Sequence, residues 1–350
     1  LPKLKIGKKK VYAQSNALCS CHTLRQLEKL LDVPANSLSL LAVTPLYYRF
    51  QVPKADGSLR NIEAPSLELK RVQRKLNEYL QSVYYMMMPE ISYGYIRAVR
   101  REQNMRNIVT NAQKHTGCRY MLNVDFEDFF HQIRQNHLAA LLSSKPFRFQ
   151  RQAALVLARF CCLEGRLPMG APTSPVLSNL ACIALDKALY AWAQKGDFVI
   201  TRFVDDVTLS SKKTEIDLNH FFELSKIFQQ YDFQINEDKT QYYSAVDEKT
   251  VTGLAVSDEV SIPSGYYESL EADLQRLKSV VEVDLLTGSL AKAGMIKKYK
   301  QEVMGKINFI SMVEGKSDQQ YHNYLDQFEM AIDPPLAIFS ASWTSFNYMH

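Results

Sequence analysis

Asp205 and Asp206 stand side by side between two runs of β-prone residues, Phe198-Val-Ile-Thr-Arg-Phe-Val204 and Val207-Thr-Leu-Ser-Ser211. Adjacent carboxylates repel, so a cation is their natural partner. Two such runs with a two-residue connection read as a β-hairpin. The tightest hairpins carry Asn-Gly or Asp-Gly because the second turn residue takes φ > 0; a second Asp in that place is expected to be strained. Taken alone, the pair reads as a solvated turn. A third carboxylate changes that reading. Tyr120, Leu122 and Val124 alternate with Met121, Asn123 and Asp125, which puts Asp125 at the end of a strand, where such folds place their chemistry. Taken alone, Asp125 reads as a helix N-cap. If its strand lies beside the hairpin, three carboxylates meet, the ligand set that two Mg²⁺ ions need for in-line phosphoryl transfer, with Mn²⁺ a workable substitute. Mg²⁺ favours carboxylate and phosphate oxygens, and with no His or Cys nearby zinc is not expected.

The elements around these residues describe an α+β fold. Residues 1–45 read as a basic arm and a short helical region, with Leu24, Leu27, Leu30 and Leu31 at helical spacing. Two short strands follow between Tyr47 and Ile62, joined through a tip with Gly57 at the turn and Lys54 and Arg60 on either side. Pro65-Ser66 opens a helix with Leu69, Val72, Leu76, Leu80 and Val83 on one face. After Asp125 a single helix is expected, with Phe130, Ile133, His137, Leu138 and Leu141 facing the core. An ordered Pro- and Gly-rich loop over 163–175 separates two further helical runs. Beyond the hairpin come a helix, a strand from Phe233 and a short strand at Val251. After Pro263 the pattern is helical throughout, until Pro334-Pro335 stops the last helix. The tail 336–350 has no Asp, Glu, Lys or Arg and carries Phe339, Trp343, Phe346 and Tyr348. It is expected to pack back on the body rather than stay exposed.

At 350 residues the chain exceeds one typical core and fits two or three subdomains. Apolar residues make up 46% and charged ones 23%, an ordinary globular mixture. No run is long enough for a membrane span, and the N-terminus has no signal-peptide core. The expectation is a soluble, intracellular protein with reduced cysteines. Leu1 in place of Met reads as a trimmed start. Cys19, Cys21 and His22 lack a second ligand pair at zinc spacing. The net charge of +5 is modest, but Lys and Arg gather in three groups: Lys3 to Lys10, Arg97 to Arg106, and Lys292 to Lys306. Such a distribution fits a polyanion held at several points.

Three stretches carry a family resemblance. Asn123-Val-Asp-Phe-Glu-Asp-Phe-Phe130, Leu167-Pro-Met-Gly-Ala-Pro-Thr-Ser-Pro175 and Phe203-Val-Asp-Asp206 resemble the successive motifs of reverse transcriptases, in order, over roughly residues 45–255. Asn111-Ala-Gln-Lys-His115 and Val251-Thr-Gly253 resemble two further signatures of bacterial retron reverse transcriptases. The resemblance implies a right-hand polymerase with fingers (46–118), palm (119–258, with finger elements inside 140–175) and an all-helical thumb (259–333), flanked by the arm and the apolar tail (334–350). It implies an enzyme that copies part of a cognate structured non-coding RNA into DNA, primed from an RNA 2′-hydroxyl to give a branched RNA–DNA molecule. It further implies a bacterial, cytoplasmic setting in anti-phage defence with a protein effector and no membrane.

Carried onto this chain, the resemblance makes Asp125, Asp205 and Asp206 the metal ligands, with the Phe126 carbonyl in addition. Lys54 and Arg60 would clamp the deoxynucleoside triphosphate, and Phe130 would exclude a ribose 2′-hydroxyl. Gly170 would lie against the nucleotide and Lys239 would neutralise the pyrophosphate. Asn111, His115, Val251, Thr252, Gly253, Lys297 and Lys298 would contact RNA. Two residues depart from the pattern: Phe203 stands where Tyr is usual before the Asp pair, and Met169 replaces the usual Gln. Related intron-type or other defence-associated reverse transcriptases, and an RNA-binding scaffold that restrains an effector, are the competing readings.

Overall fold

Thr23, Ser66 and Asn107 each place a side-chain oxygen on an N–H that opens a helix: Thr23 accepts from Gln26, Ser66 from Leu69 and Asn107 from Thr110, meeting donors that would otherwise go unpaired. The structure, a computed structural model, describes residues 6–53, 57–287 and 293–333. Lys3, Lys5, Lys54 and the apolar tail therefore lie outside the described residues. The chain divides into two units, Leu1–Thr252 and Gly253–His350.

The first unit opens with α1 (Lys8–Cys19), α2 (Leu24–Leu30) and α3 (Ser37–Val43). An antiparallel pair follows, β1 (Tyr47–Pro53) and β2 (Leu59–Pro65), in register from Tyr47 opposite Pro65 to Pro53 opposite Leu59. In α4 (Leu67–Met87) the face predicted from the 3.6-residue period is the buried one: Leu69, Val72, Leu76, Leu80 and Val83 are all at most 6% exposed. Next come α5 (Ile108–Ala112) and β3 (Tyr120–Phe126). The single helix expected after Asp125 is two, α6 (Phe129–Gln132) and α7 (Gln135–Ser143). Ile133 and Arg134 take extended backbone between them. The break swings α7 so that Leu138, Ala139 and Leu142 are buried while His137 is exposed.

α8 (Arg151–Cys161), α9 (Ser174–Ala181) and α10 (Ile183–Lys195) lead into the hairpin of β4 (Val199–Phe203) and β5 (Asp206–Ser211). α11 (Leu218–Gln230), β6 (Ile235–Tyr243) and β7 (Lys249–Val251) complete the unit. The main sheet runs β4-β5-β3-β6, antiparallel at every pairing. Leu122 and Val124 of β3 and Val207 and Leu209 of β5 join the buried cluster that spreads through α4 and α7–α11. The six cysteines are free. Cys161, Cys162 and Cys182 are at most 2% exposed, and burial pushes all three thiols up, Cys161 and Cys182 to about 12.

The second unit contains a short pair, β8 (Leu254–Val256) and β9 (Val260–Ser261), and the helices α12 (Ser264–Thr287), α13 (Ala293–Val313) and α14 (Gln319–Ile332). Leu270, Leu274, Leu277 and Val281 of α12, Ile296, Val303, Ile307 and Ile310 of α13, and Tyr324 and Phe328 of α14 are buried. Polar ties fix these helices: Tyr299 donates to Asp273, Tyr324 to Glu271, and Lys306 to Ser269 and Asp273.

Two of the basic groups are thus partly structural. Lys306 is spent within its helix bundle. In the second group Arg97 donates to the Glu78 carbonyl and Ser82, and Arg106 to the carbonyls of Pro89 and Ser92. Among the described residues no helix is long and apolar enough to cross a membrane.

Candidate active site

Pairing of β3 with β5 sets Asp125 directly opposite Asp206. The hairpin turn itself is shifted by one residue from the sequence expectation. Phe203 pairs with Asp206, so the two turn residues are Val204 and Asp205. The positive φ belongs to Val204, at 65°, where the tightest turns with one positive residue carry Gly. Asp206 is the first residue of β5 and escapes that strain. The Asp205 carbonyl accepts from the Phe126 N–H at 3.2 Å, tying the turn to the end of β3. The Phe126 ring is anchored among Phe129, Phe228 and Phe233, with centroids 5.0–5.2 Å away, so only its main chain is left to serve a ligand.

Low-dielectric surroundings push the Asp205 carboxyl up, and the Asp125 charge adds to the shift against its own backbone N–H, Lys239 and Arg60. Asp206 has solvent on one side. The protein around the other side, followed by the charges of Asp205 and Asp125, pushes it up to about 7. Asp205 and Asp206 are thus both held above the usual carboxylate range, with the Asp125 charge contributing to each, and a bound cation would offset that repulsion.

Lys239 reaches this cluster through an irregularity in β6. Asn123 pairs with Gln241 and Asp125 with Asn236, so residues 237–240 of β6 lie opposite Val124 alone, an enlarged β-bulge. Thr240 closes it by donating to the Asn236 carbonyl. The bulge delivers the Lys239 ammonium to Asp125 Oδ1 at 3.0 Å, and that hydrogen bond holds the lysine above its usual range. A cleft of about 320 Å³ opens here, lined by Asp125, Asp206, Asp238 and Lys239 among others.

The donor set is all carboxylate oxygen, which suits a hard divalent cation. Among the described residues no group of three or more His, Cys, Asp or Glu side chains is arranged to hold a metal ion by itself. That is compatible with Mg²⁺, which is usually held by one or two carboxylates completed by substrate phosphates.

Arg60 is exposed on β2, and its charge is felt at Asp205. Phe130 is half-buried beside Phe129. Gly170 has φ +133°, and an added Cβ would lie 3.0 Å from the Glu63 carbonyl and the Ile62 side chain. Its observed work is close approach of the 163–175 loop to β2, where the Glu63 N–H donates to the Met169 carbonyl at 2.7 Å. Because that pairing uses main chain only, Met serves there as well as Gln.

Glu63 is a hub that sequence reading missed. Its carboxylate takes a fork from Arg166 at 3.0 and 3.1 Å, His131 at 3.2 Å and the Met169 N–H at 3.3 Å. Burial opposes its charge, but Arg166 and His131 outweigh burial and hold the carboxyl below its usual range. Tyr95 was missed as well: burial and the Asp205 charge both raise its hydroxyl. The glycine among aromatics at Ser92-Tyr-Gly-Tyr95 was the available signal.

The residues expected to touch RNA divide. Lys297 and Lys298 are exposed on α13. Asn111 and His115 are each 1% exposed and Val251 is 0% exposed, so their side chains are not free for direct contact. His115 instead ties the hairpin, with Nδ1 2.7 Å from Ser210 Oγ and Nε2 2.8 Å from Thr201 Oγ1. Thr252 and Gly253 turn the chain with φ of 51° and 82°.

Residues 52–262 match the family model described as reverse transcriptase (RNA-dependent DNA polymerase). The chain belongs to the reverse transcriptase family. Its fold is that family's right-hand polymerase, an α+β body with a helical unit, and its activity is RNA-directed DNA polymerisation, which in this family uses divalent metal ions. The resemblance to retron enzymes also holds. The chain is 28% identical to the Retron Ec86 reverse transcriptase of Escherichia coli over 88% of its own length and 90% of the relative's. It is 26% identical to the Retron Ec48 reverse transcriptase of the same organism, over 94% and 80%. A solved structure of apo telomerase from Candida tropicalis is 12% identical, covering 82% of this chain and 61% of that one with a TM-score of 0.46, too loose a likeness to add to the assignment.

Proposed function

We propose that this reverse transcriptase is a retron enzyme that copies part of a cognate structured non-coding RNA into single-stranded DNA. Synthesis starts from an RNA 2′-hydroxyl and leaves a branched RNA–DNA molecule, within a bacterial, cytoplasmic anti-phage system that includes a protein effector. The observation that carries the catalytic part is the register of Asp125 opposite Asp206 with Asp205 in the adjoining turn. The retron part is supported by the relatives and by the motifs at 111–115 and 251–253. In this reading 46–118 form the fingers, 119–258 the palm and 259–333 the thumb.

Asp125, Asp205 and Asp206, with the Phe126 carbonyl, would hold two Mg²⁺ ions, which when bound supply Lewis acidity for in-line nucleotidyl transfer. The chain's own groups do the rest. Arg60, with Lys54, grips the triphosphate, a fork and a point charge respectively. Lys239, released from Asp125, neutralises charge on the leaving pyrophosphate, and the half-buried Phe130 ring shuts out a ribose 2′-hydroxyl.

The test is Asp205→Asn with Asp206→Asn, which should abolish deoxynucleotide incorporation while bound RNA is retained; full activity would overturn the metal assignment. Sequencing the nucleic acid that co-purifies with the wild-type protein tests the retron part. A branched RNA–DNA molecule is expected, and linear RNA alone would favour a related intron-type or defence-associated reverse transcriptase or an RNA-binding scaffold.

A further inference from the structure

A fully buried ion pair connects to the turn that carries Asp205. Arg202 on β4 and Asp186 on α10 are each 0% exposed and meet in a fork, Nε to Oδ1 at 2.6 Å and Nη2 to Oδ2 at 2.7 Å. Replacing such a pair by apolar residues is often neutral or stabilising, because desolvation offsets the attraction. Its presence calls for a purpose other than stability. The Arg202 donor left over by the fork, Nη1, reaches the Val204 carbonyl at 2.8 Å and Asn179 Oδ1 at 3.2 Å.

Val204 is the residue that needs holding. It is β-branched and has φ 65°, a region that L residues with branched side chains occupy only when their surroundings over-determine it. A wall stands on its other side: a Cβ added to Gly94 would lie 2.5 Å from Val204 Cγ2 and 2.7 Å from its N. Asn179 joins the two sides, accepting from Arg202 and donating to the Gly94 carbonyl at 2.9 Å. The Arg202 main chain is fixed as well, its N–H on the Ile91 carbonyl and its carbonyl on the Tyr93 N–H.

We propose that Arg202 is a positioning residue for nucleotidyl transfer. Oriented by Asp186, it clamps the Val204 carbonyl, keeps the strained turn in place and so sets the direction in which Asp205 and Asp206 leave it. The inference rests on the reading of Asp205 and Asp206 as catalytic. Without the clamp Val204 relaxes toward negative φ and the peptide before Asp205 rotates. Since Arg202 does not reach the cleft, the loss falls on kcat and spares KM.

The experiment uses the full-length protein on a primed RNA template, with rates referred to folded protein. Arg202→Lys keeps a charge opposite Asp186, but a single ammonium does not reproduce the fork together with the Val204 contact. Arg202→Gln with Asp186→Asn removes both charges, so that neither is left unpaired. In each variant kcat should fall about a hundredfold, the cost of a misplaced catalytic group, with KM for deoxynucleotide nearly unchanged. Adding Val204→Gly should recover about tenfold or more, because glycine takes positive φ without a clamp. A purely structural role would lower the melting temperature and leave kcat of the folded fraction intact, and that result overturns the proposal. So does a kcat loss that Val204→Gly does not recover. If the double variant does not fold, Arg202→Lys decides alone. Inactive Asp205→Asn with Asp206→Asn beside a fully active Arg202→Lys would sink only the clamp; an active Asp variant would sink the site reading itself.

Discussion

Lys239 stands where a cation is wanted. With its ammonium 3.0 Å from Asp125 Oδ1, it neutralises part of the carboxylate cluster, and on the proposed metal reading it would have to give way to a bound ion. Lys239→Gln should therefore lower the Mg²⁺ concentration for half-maximal polymerisation, while kcat falls about tenfold or more from the loss of charge at the leaving group. A Mg²⁺ titration of both proteins checks this; an unchanged midpoint would remove Lys239 from competition for Asp125. At this scale the sequence was informative where chemistry depends on residue type. The alternation of 120–125 located Asp125, and the doubled Asp located its partners. Strain was misplaced, because a positive φ at Val204 depends on Gly94 and Arg202, which lie in different segments and leave no local mark. Asp238 was overlooked because a bulge brings it to the cleft, and Tyr95 because only the fold brings it within reach of the Asp205 charge.

Elements carry the second lesson, and His115 is its centre. The residue belongs to a motif read as an RNA contact, yet its ring bonds to Thr201 on β4 and Ser210 on β5, bracing the hairpin that carries Asp205 and Asp206. Burial, helped by the Lys114 charge, pushes its pKa down to about 3, well below the value of about 6.5 for an unfolded chain. Protons then bind the unfolded state preferentially. The stability His115 contributes is fully present above pH 6.5 and is lost as pH falls toward 3, by about 1.4 kcal/mol per unit. Between pH 7.5 and 5 that amounts to about 2 kcal/mol. The melting temperature of the wild type should thus fall more over this interval than that of His115→Gln, and parallel declines would count against the tie. Strand and helix periods were legible in the sequence, as α4 and β3 demonstrate. The break between α6 and α7 was not, since Ile133 and Arg134 are no stronger breakers than their neighbours.

On the scale of the whole molecule, the distribution of charge bears on how an RNA would be bound. Some of the lysines and arginines counted as a surface are internal ties, Arg106 and Lys306 among them, which no composition can reveal. Lys297 and Lys298 remain exposed, the latter with only a 3.7 Å surface contact to Glu302, the kind of pair that contributes little. Lys297→Glu with Lys298→Glu should weaken RNA binding and make the dependence of log K on log salt shallower by about 1 to 2. Affinity measured across a salt series decides, and an unchanged slope would take α13 out of the interface. The cysteines have a different kind of consequence. Cys161 and Cys182 close α8 and follow α9, buried and poorly ionised, whereas Cys19 and Cys118 are partly accessible. Thiol-directed reagents should therefore mark the latter two first. Labelling of the buried cysteines would time the opening of the core of the first unit, so the native chain carries its own reporter of unfolding without an engineered probe.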